Sequence, residues 1–137
     1  MAFVLDQASS YSWPVEFDLP GDGGRRVRQS FDAEFRKIDQ SEVEELIAGV
    51  RRREALQEDG REVPDELEQY DPISVARDLM VGWSGIRGAD GDEVPFTDAT
   101  VMRVLRTPTV AAMIVRAWAE SIAGSKRKNS LAPRGIG

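Results

Sequence analysis

Apolar and polar positions alternate at period two in two stretches near the N-terminus. In the first, Trp13, Val15, Phe17 and Leu19 are separated by Pro14, Glu16 and Asp18, the pattern of a strand with one buried face. Pro14 has no N–H to give to a ladder, which places this strand at a sheet edge, at least where it begins. Pro20-Gly21-Asp22-Gly23-Gly24 reads as a turn, its glycines free to take positive φ. In the second stretch Val27, Phe31, Ala33 and Phe35 share one parity, away from Arg26, Arg28, Asp32, Glu34 and Arg36. The two predict an antiparallel hairpin over 13–19 and 26–36. A lone hairpin is marginal in water, so its apolar face needs helices over it.

The period then changes. Val43, Leu46, Ile47 and Val50 make an i, i+3, i+4, i+7 stripe. Ser41 and Glu44 in front of it form a capping-box pattern, and Glu42, Glu44 and Glu45 suit a helix N-terminus. Arg51-Arg52-Arg53 sit in the later turns, and the apolar-free 57–62 reads as helix end and loop. Asp71-Pro72 is a cap followed by proline at the first helical position, leading a face of Ile73, Ala76, Leu79, Met80 and Trp83. Gly82, Gly85, Gly88 and Gly91 interrupt the chain beyond that face. Thr97 caps a short helix with Val101, Val104 and Leu105. Thr107-Pro108 opens the strongest helix, with Val110, Met113, Ile114, Ala117, Trp118, Ser121 and Ile122 on or near one face and Gly124 as its stop. The fold class is therefore α+β: an N-terminal antiparallel β-hairpin packed on about four α-helices. Residues 1–124 make one domain, and 125–137 a flexible basic C-terminal tail.

Composition narrows the chemistry. The 137 residues include no Cys and no His, which removes disulfides, Cys/His zinc sites and every His-based catalytic arrangement. The net charge is −6, but Lys126, Arg127, Lys128 and Arg134 stand in a tail with no acid. Residues 1–125 thus carry 14 basic and 24 acidic residues, net −10. That balance argues against nucleic acid as a partner, except through the tail. No apolar run approaches the length of a membrane span, and Met1–Asp6 lacks the basic and apolar regions of a signal peptide, so a cytosolic protein is expected.

The candidate motifs are weak. Asp90-Gly91-Asp92-Glu93 fails as a calcium loop, since Val94 and Pro95 fall where an acid and a glycine are needed; it reads as a turn. Gly21–Gly24 lacks the Lys-Ser/Thr of a phosphate-cradling loop, and Gly82-Trp83-Ser84-Gly85 has no base beside its serine. Arg51–Arg53, with Arg25 and Arg26, either touch phosphate or form a solvated face beside Glu45 and Glu54; consecutive helix residues point about 100° apart and make no stripe alone. Trp13, Trp83 and Trp118 are core or interface anchors. The sequence predicts no catalytic residue, no cofactor and no metal. Met113, Ile114 and Trp118, in a stripe that Val115 and Ala117 widen, are the candidate partner-binding residues.

Several stretches resemble the tail assembly chaperones of long-tailed bacteriophages and prophages: Ser10–Val15, Phe31–Phe35, Val81-Gly82-Trp83, Asp90–Phe96, and Ala117-Trp118 through Ala123–Asn129. The resemblance implies a non-enzymatic role in the host bacterial cytoplasm, holding the tape measure protein soluble while tail tube subunits assemble around it. It also implies self-association and absence from the finished virion. A programmed ribosomal slip near the end of the gene is a further trait of such families, and Arg127-Lys128-Asn129 is compatible with the slippery nucleotides A-AAA-AAC. The rival reading is a small regulatory protein that binds nucleic acid through its basic tail.

Overall fold

The computed structural model describes residues 2–5 and 8–124; the expected tail, 125–137, lies outside the described residues. Strands β1 (Ser10–Pro20) and β2 (Arg26–Arg36) pair antiparallel, with Val15 opposite Phe31 and Trp13 opposite Ala33. The turn between them is a 3-10 segment, Asp22–Gly24, in which Gly23 and Gly24 take φ of 68° and 79°. Both strands match the predicted hairpin, β1 starting three residues earlier.

Helix α1 (Gln40–Glu58) begins sooner than the Ser41 pattern implied. Asp39 is the cap: its carboxylate accepts from the Glu42 N–H at 2.9 Å, while Glu44 is held by the Gln40 amide instead of reaching back to Ser41. Asp caps as well as Ser, and starting at Asp39 lengthens the helix. Its far end closes as a Schellman motif. Gly60 takes φ 71°, its N–H bonds Gln57, and the Arg61 N–H bonds Leu56.

A 3-10 segment, Asp65–Tyr70, leads to α2 (Pro72–Leu79), where Asp71 accepts from the Ser74 N–H as the cap-plus-proline pattern predicted. The expected face through Trp83 is interrupted. At Leu79 the helix passes directly into strand β3 (Met80–Ser84), which pairs with β2 and completes a three-stranded antiparallel sheet of order β1-β2-β3. Met80 and Trp83 are apolar and inward in either geometry; the open edge of β2 supplies the hydrogen bonds that make strand win. A register shift at Glu34/Phe35 accommodates the join and leaves Val81 pointing outward.

After β3, residues 85–96 fold back as a small ribbon bridged at Arg87 and Glu93, with Asp90-Gly91-Asp92 at its tip. Trp83 secures it: its indole N–H donates to the Val94 carbonyl at 2.8 Å and its ring stacks edge-on against Phe96. Helix α3 (Asp98–Leu105) opens on a full capping box between Thr97 and Thr100. Helix α4 (Val110–Ala123) starts at Thr109, two residues past the predicted Thr107 cap. The Thr107 hydroxyl donates to the Arg103 carbonyl and so ends α3. Gly124, at φ 68°, stops α4 as expected.

The core joins the inner sheet face (Val15, Phe17, Phe31, Ala33, Phe35) to Val43, Leu46, Val75, Leu79, Leu105, Ile114 and Trp118 from the helices. The opposite sheet face carries Ser12, Glu16, Arg28, Ser30 and Asp32, all exposed. Arg36 ties the layers at the margin. It donates to Asp78 at 2.8 Å, to the Asp78 carbonyl at 2.9 Å and to Glu42 at 3.0 Å. The Asp78 hydrogen bond, followed by partial burial acting the other way and then the Glu42 bond, leaves the guanidinium more basic than usual.

Candidate partner-binding surface

Helix α4 is apolar around most of its circumference, and its faces meet different surroundings. One stripe, Val110, Ala111, Ile114, Ala117 and Trp118, is buried. Ile114 is 0% exposed and Trp118 2%, so two of the three residues singled out in the sequence belong to the core. The Trp118 indole N–H has no acceptor there. Met113, the third, is half-buried and lines a cleft of about 250 Å³ with Pro14, Glu16, Arg28, Arg116 and Glu120. The charges around that cleft pair among themselves: Arg28 with Glu16 at 3.2 Å and Asp18 at 3.4 Å, Arg116 with Glu120 at 3.6 Å.

A second stripe on α4 runs through Ala112 and Ala119, which the helical pattern did not single out, and through Val115 and Ile122, which it grouped with the Trp118 face. Ala112, Val115, Ala119 and Ile122 are spaced three, four and three residues apart, so they share a side. Ala112 and Ile122 are exposed, while Val115 and Ala119 are half-buried. Across from them α1 presents Val50, Arg53, Glu54 and Gln57, and Tyr70 and Pro72 close the gap. A wider hollow of about 520 Å³ continues past Ile73, Leu105, Arg106 and Pro108, sharing Arg53, Gln57, Pro72 and Ala112 with the first. Together they form a groove between α1 and α4. The 3-4-3 spacing was the available signal; the deeper stripe through Trp118 obscured it.

The three consecutive arginines separate as helix geometry requires. Arg51 and Arg52 are exposed, whereas Arg53 turns inward, 14% exposed, and reaches Glu68 at 3.6 Å. Arg25 and Arg26 stand by the hairpin turn, on another element. A third hollow, about 300 Å³, opens beyond the sheet between Phe17, Leu19, Ile86, Val104 and Val110. Among the described residues no group of three His, Cys, Asp or Glu side chains converges to hold a metal ion. No helix among them is long and apolar enough to cross a membrane.

Fold and surface together define a two-layer α+β protein whose open features are apolar hollows edged by charge. The chain belongs to the phage tail assembly chaperone family: the family's model, described as "Phage tail assembly chaperone", matches residues 1–129. That is a family of assembly chaperones and not of enzymes, and membership makes phage tail proteins its class of partner. No curated protein and no solved structure matches the chain.

Proposed function

We propose that the protein binds the tape measure protein, keeps it soluble while the tail tube assembles around it, and leaves before the virion is complete. The observation that carries this reading is the exposed and half-exposed apolar surface of α4, which a chaperone for a long helical client needs and a stable core does not. The family match gives the setting. The work takes place in the host bacterial cytoplasm, with several copies on one client and the tail tube protein as a second contact. Met113, at the margin of the buried stripe, is the one of the three predicted residues open to a partner. Co-expression with the tape measure gene of the same genome tests the reading. The tape measure protein should move from the pellet to the supernatant and co-purify with the chaperone; a tape measure protein equally insoluble with and without it refutes the proposal.

A longer, frameshifted product fits the same reading. The family match ends at Asn129, the last residue of the Arg127-Lys128-Asn129 run, which lies outside the described residues. Codons other than A-AAA-AAC there, with no second slippery heptamer nearby, remove this part of the proposal.

A further inference from the structure

The groove between α1 and α4 has a composition that the fold itself does not require. Its walls are apolar, from Val50, Tyr70, Pro72, Ala112 and Val115, yet it encloses the guanidinium of Arg53. That cation is poorly matched. Its nearest carboxylate, on Glu68, stands 3.6 Å away on a side chain that is 62% exposed, and its buried Nε has no acceptor. A cation withdrawn from water without close hydrogen-bonded partners is costly, and a second carboxylate would relieve that cost. Arg106, on the wall of the adjoining hollow, is exposed and makes no ion pair among the described residues. Of the acids lining the two hollows, Asp71 is engaged as the cap of α2, and Glu54 is exposed at the rim. The positive charge is therefore the less satisfied one.

The apolar part continues along α4 from Ala112 through Ala119 to Ile122, an extent of about 15 Å at ~1.5 Å per residue. That is the footprint of roughly three turns of a partner helix. Small side chains at Ala112 and Ala119 allow close approach. We propose that this groove seats an amphipathic helical segment of the tape measure protein, its apolar face along Val115, Ala119 and Ile122 and a carboxylate at one end meeting Arg53 and Arg106. The assignment rests on the chaperone reading above and adds where the client lies and what chemistry it offers. Bidentate pairing of an arginine with a carboxylate fixes the register of such a helix, while the apolar stripe supplies most of the contact area.

Photo-crosslinking in the full-length chaperone, co-expressed with the tape measure protein, tests it. The crosslinker p-benzoylphenylalanine replaces Ala112, which lines both hollows, or Ser84, exposed on β3. The expected result is a crosslink to the tape measure protein from position 112 and not from 84. Arg106→Glu, at an exposed site where folding is not at stake, should then lower the co-purified tape measure protein by about tenfold. Arg106→Lys should keep most of it. A client that is solubilised but crosslinks from 84 alone, from both positions equally, or from neither overturns the groove and leaves the chaperone reading standing. A crosslink from 112 to a second copy of the chaperone overturns the assigned occupant. An Arg106→Glu protein that retains its full load overturns the carboxylate. If the client stays insoluble, the chaperone reading fails and this inference with it.

Discussion

Gly49 lies mid-helix in α1, where alanine normally stabilises by about 1 kcal/mol. Here the ring of Tyr70 packs flat against it, and an added Cβ would lie 2.5–2.6 Å from three ring atoms. Overpacking of that kind costs about 1–3 kcal/mol, so Gly49→Ala should destabilise despite its better helix propensity. Urea melts give the sign, and adding Tyr70→Leu should recover part of the loss. Trp118 makes the complementary case. Trp118→Ala should cost about 3–5 kcal/mol as a core truncation. Trp118→Phe should cost clearly less, because the buried indole N–H it removes has no acceptor. Met113→Ala, at a half-buried position, should lose less stability than Trp118→Ala in the same melts. These differences separate residues that the helical pattern alone grouped together. Periodicity names a face; it does not say whether the chain's own sheet or another molecule covers it.

The elements were legible where local chemistry had one solution. The alternation in 13–19 and 26–36, the Asp71-Pro72 cap and the Gly124 stop each appear in the fold. Misreadings arose where tertiary partners chose between local options. Met80–Ser84 satisfies a helical stripe until the free edge of β2 is present, and Thr107 is a plausible cap until its hydroxyl closes the preceding helix. The true cap, Thr109, holds a left-handed φ of 71° with no side-chain bond to the helix, a conformation that a β-branched residue resists. Thr109→Gly should therefore raise stability by about 1 kcal/mol, read as a rise in Tm. Arg36 binds three elements together, and Arg36→Ala should cost about 1 kcal/mol with a smaller cost at high salt. A raised pKa means that the arginine's contribution is complete below the ordinary guanidinium range and is lost only as pH rises through the folded value. Stability profiles of Arg36→Ala and the parent between pH 6 and 9 should therefore run parallel, without an inflection separating them.

At the scale of the molecule, the helices among the described residues pack their buried side chains against one face of the sheet, and the other face is left to alternating polar residues. That arrangement was legible in the hairpin's single apolar parity. The groove was not, because it depends on where α1 comes to rest relative to α4, which no local pattern encodes. The order of the strands has a kinetic consequence. β1 and β2 are joined by the turn at 21–25, whereas β3 reaches β2 only after residues 37–79, a span roughly eight times longer. Closing the longer span costs about 2 kcal/mol more chain entropy, at ~0.6 kcal/mol per doubling. The β1–β2 hairpin is therefore expected to nucleate first, with the third strand arriving with α2 late in the climb to the native state. In chevron analysis, Gly23→Ala, which strains a residue at φ 68°, should mainly slow refolding, whereas Trp83→Leu should mainly quicken unfolding. Until β3 docks, the inner edge of β2 is an unpaired strand edge, so a newly made copy of this chaperone passes briefly through an aggregation hazard of its own.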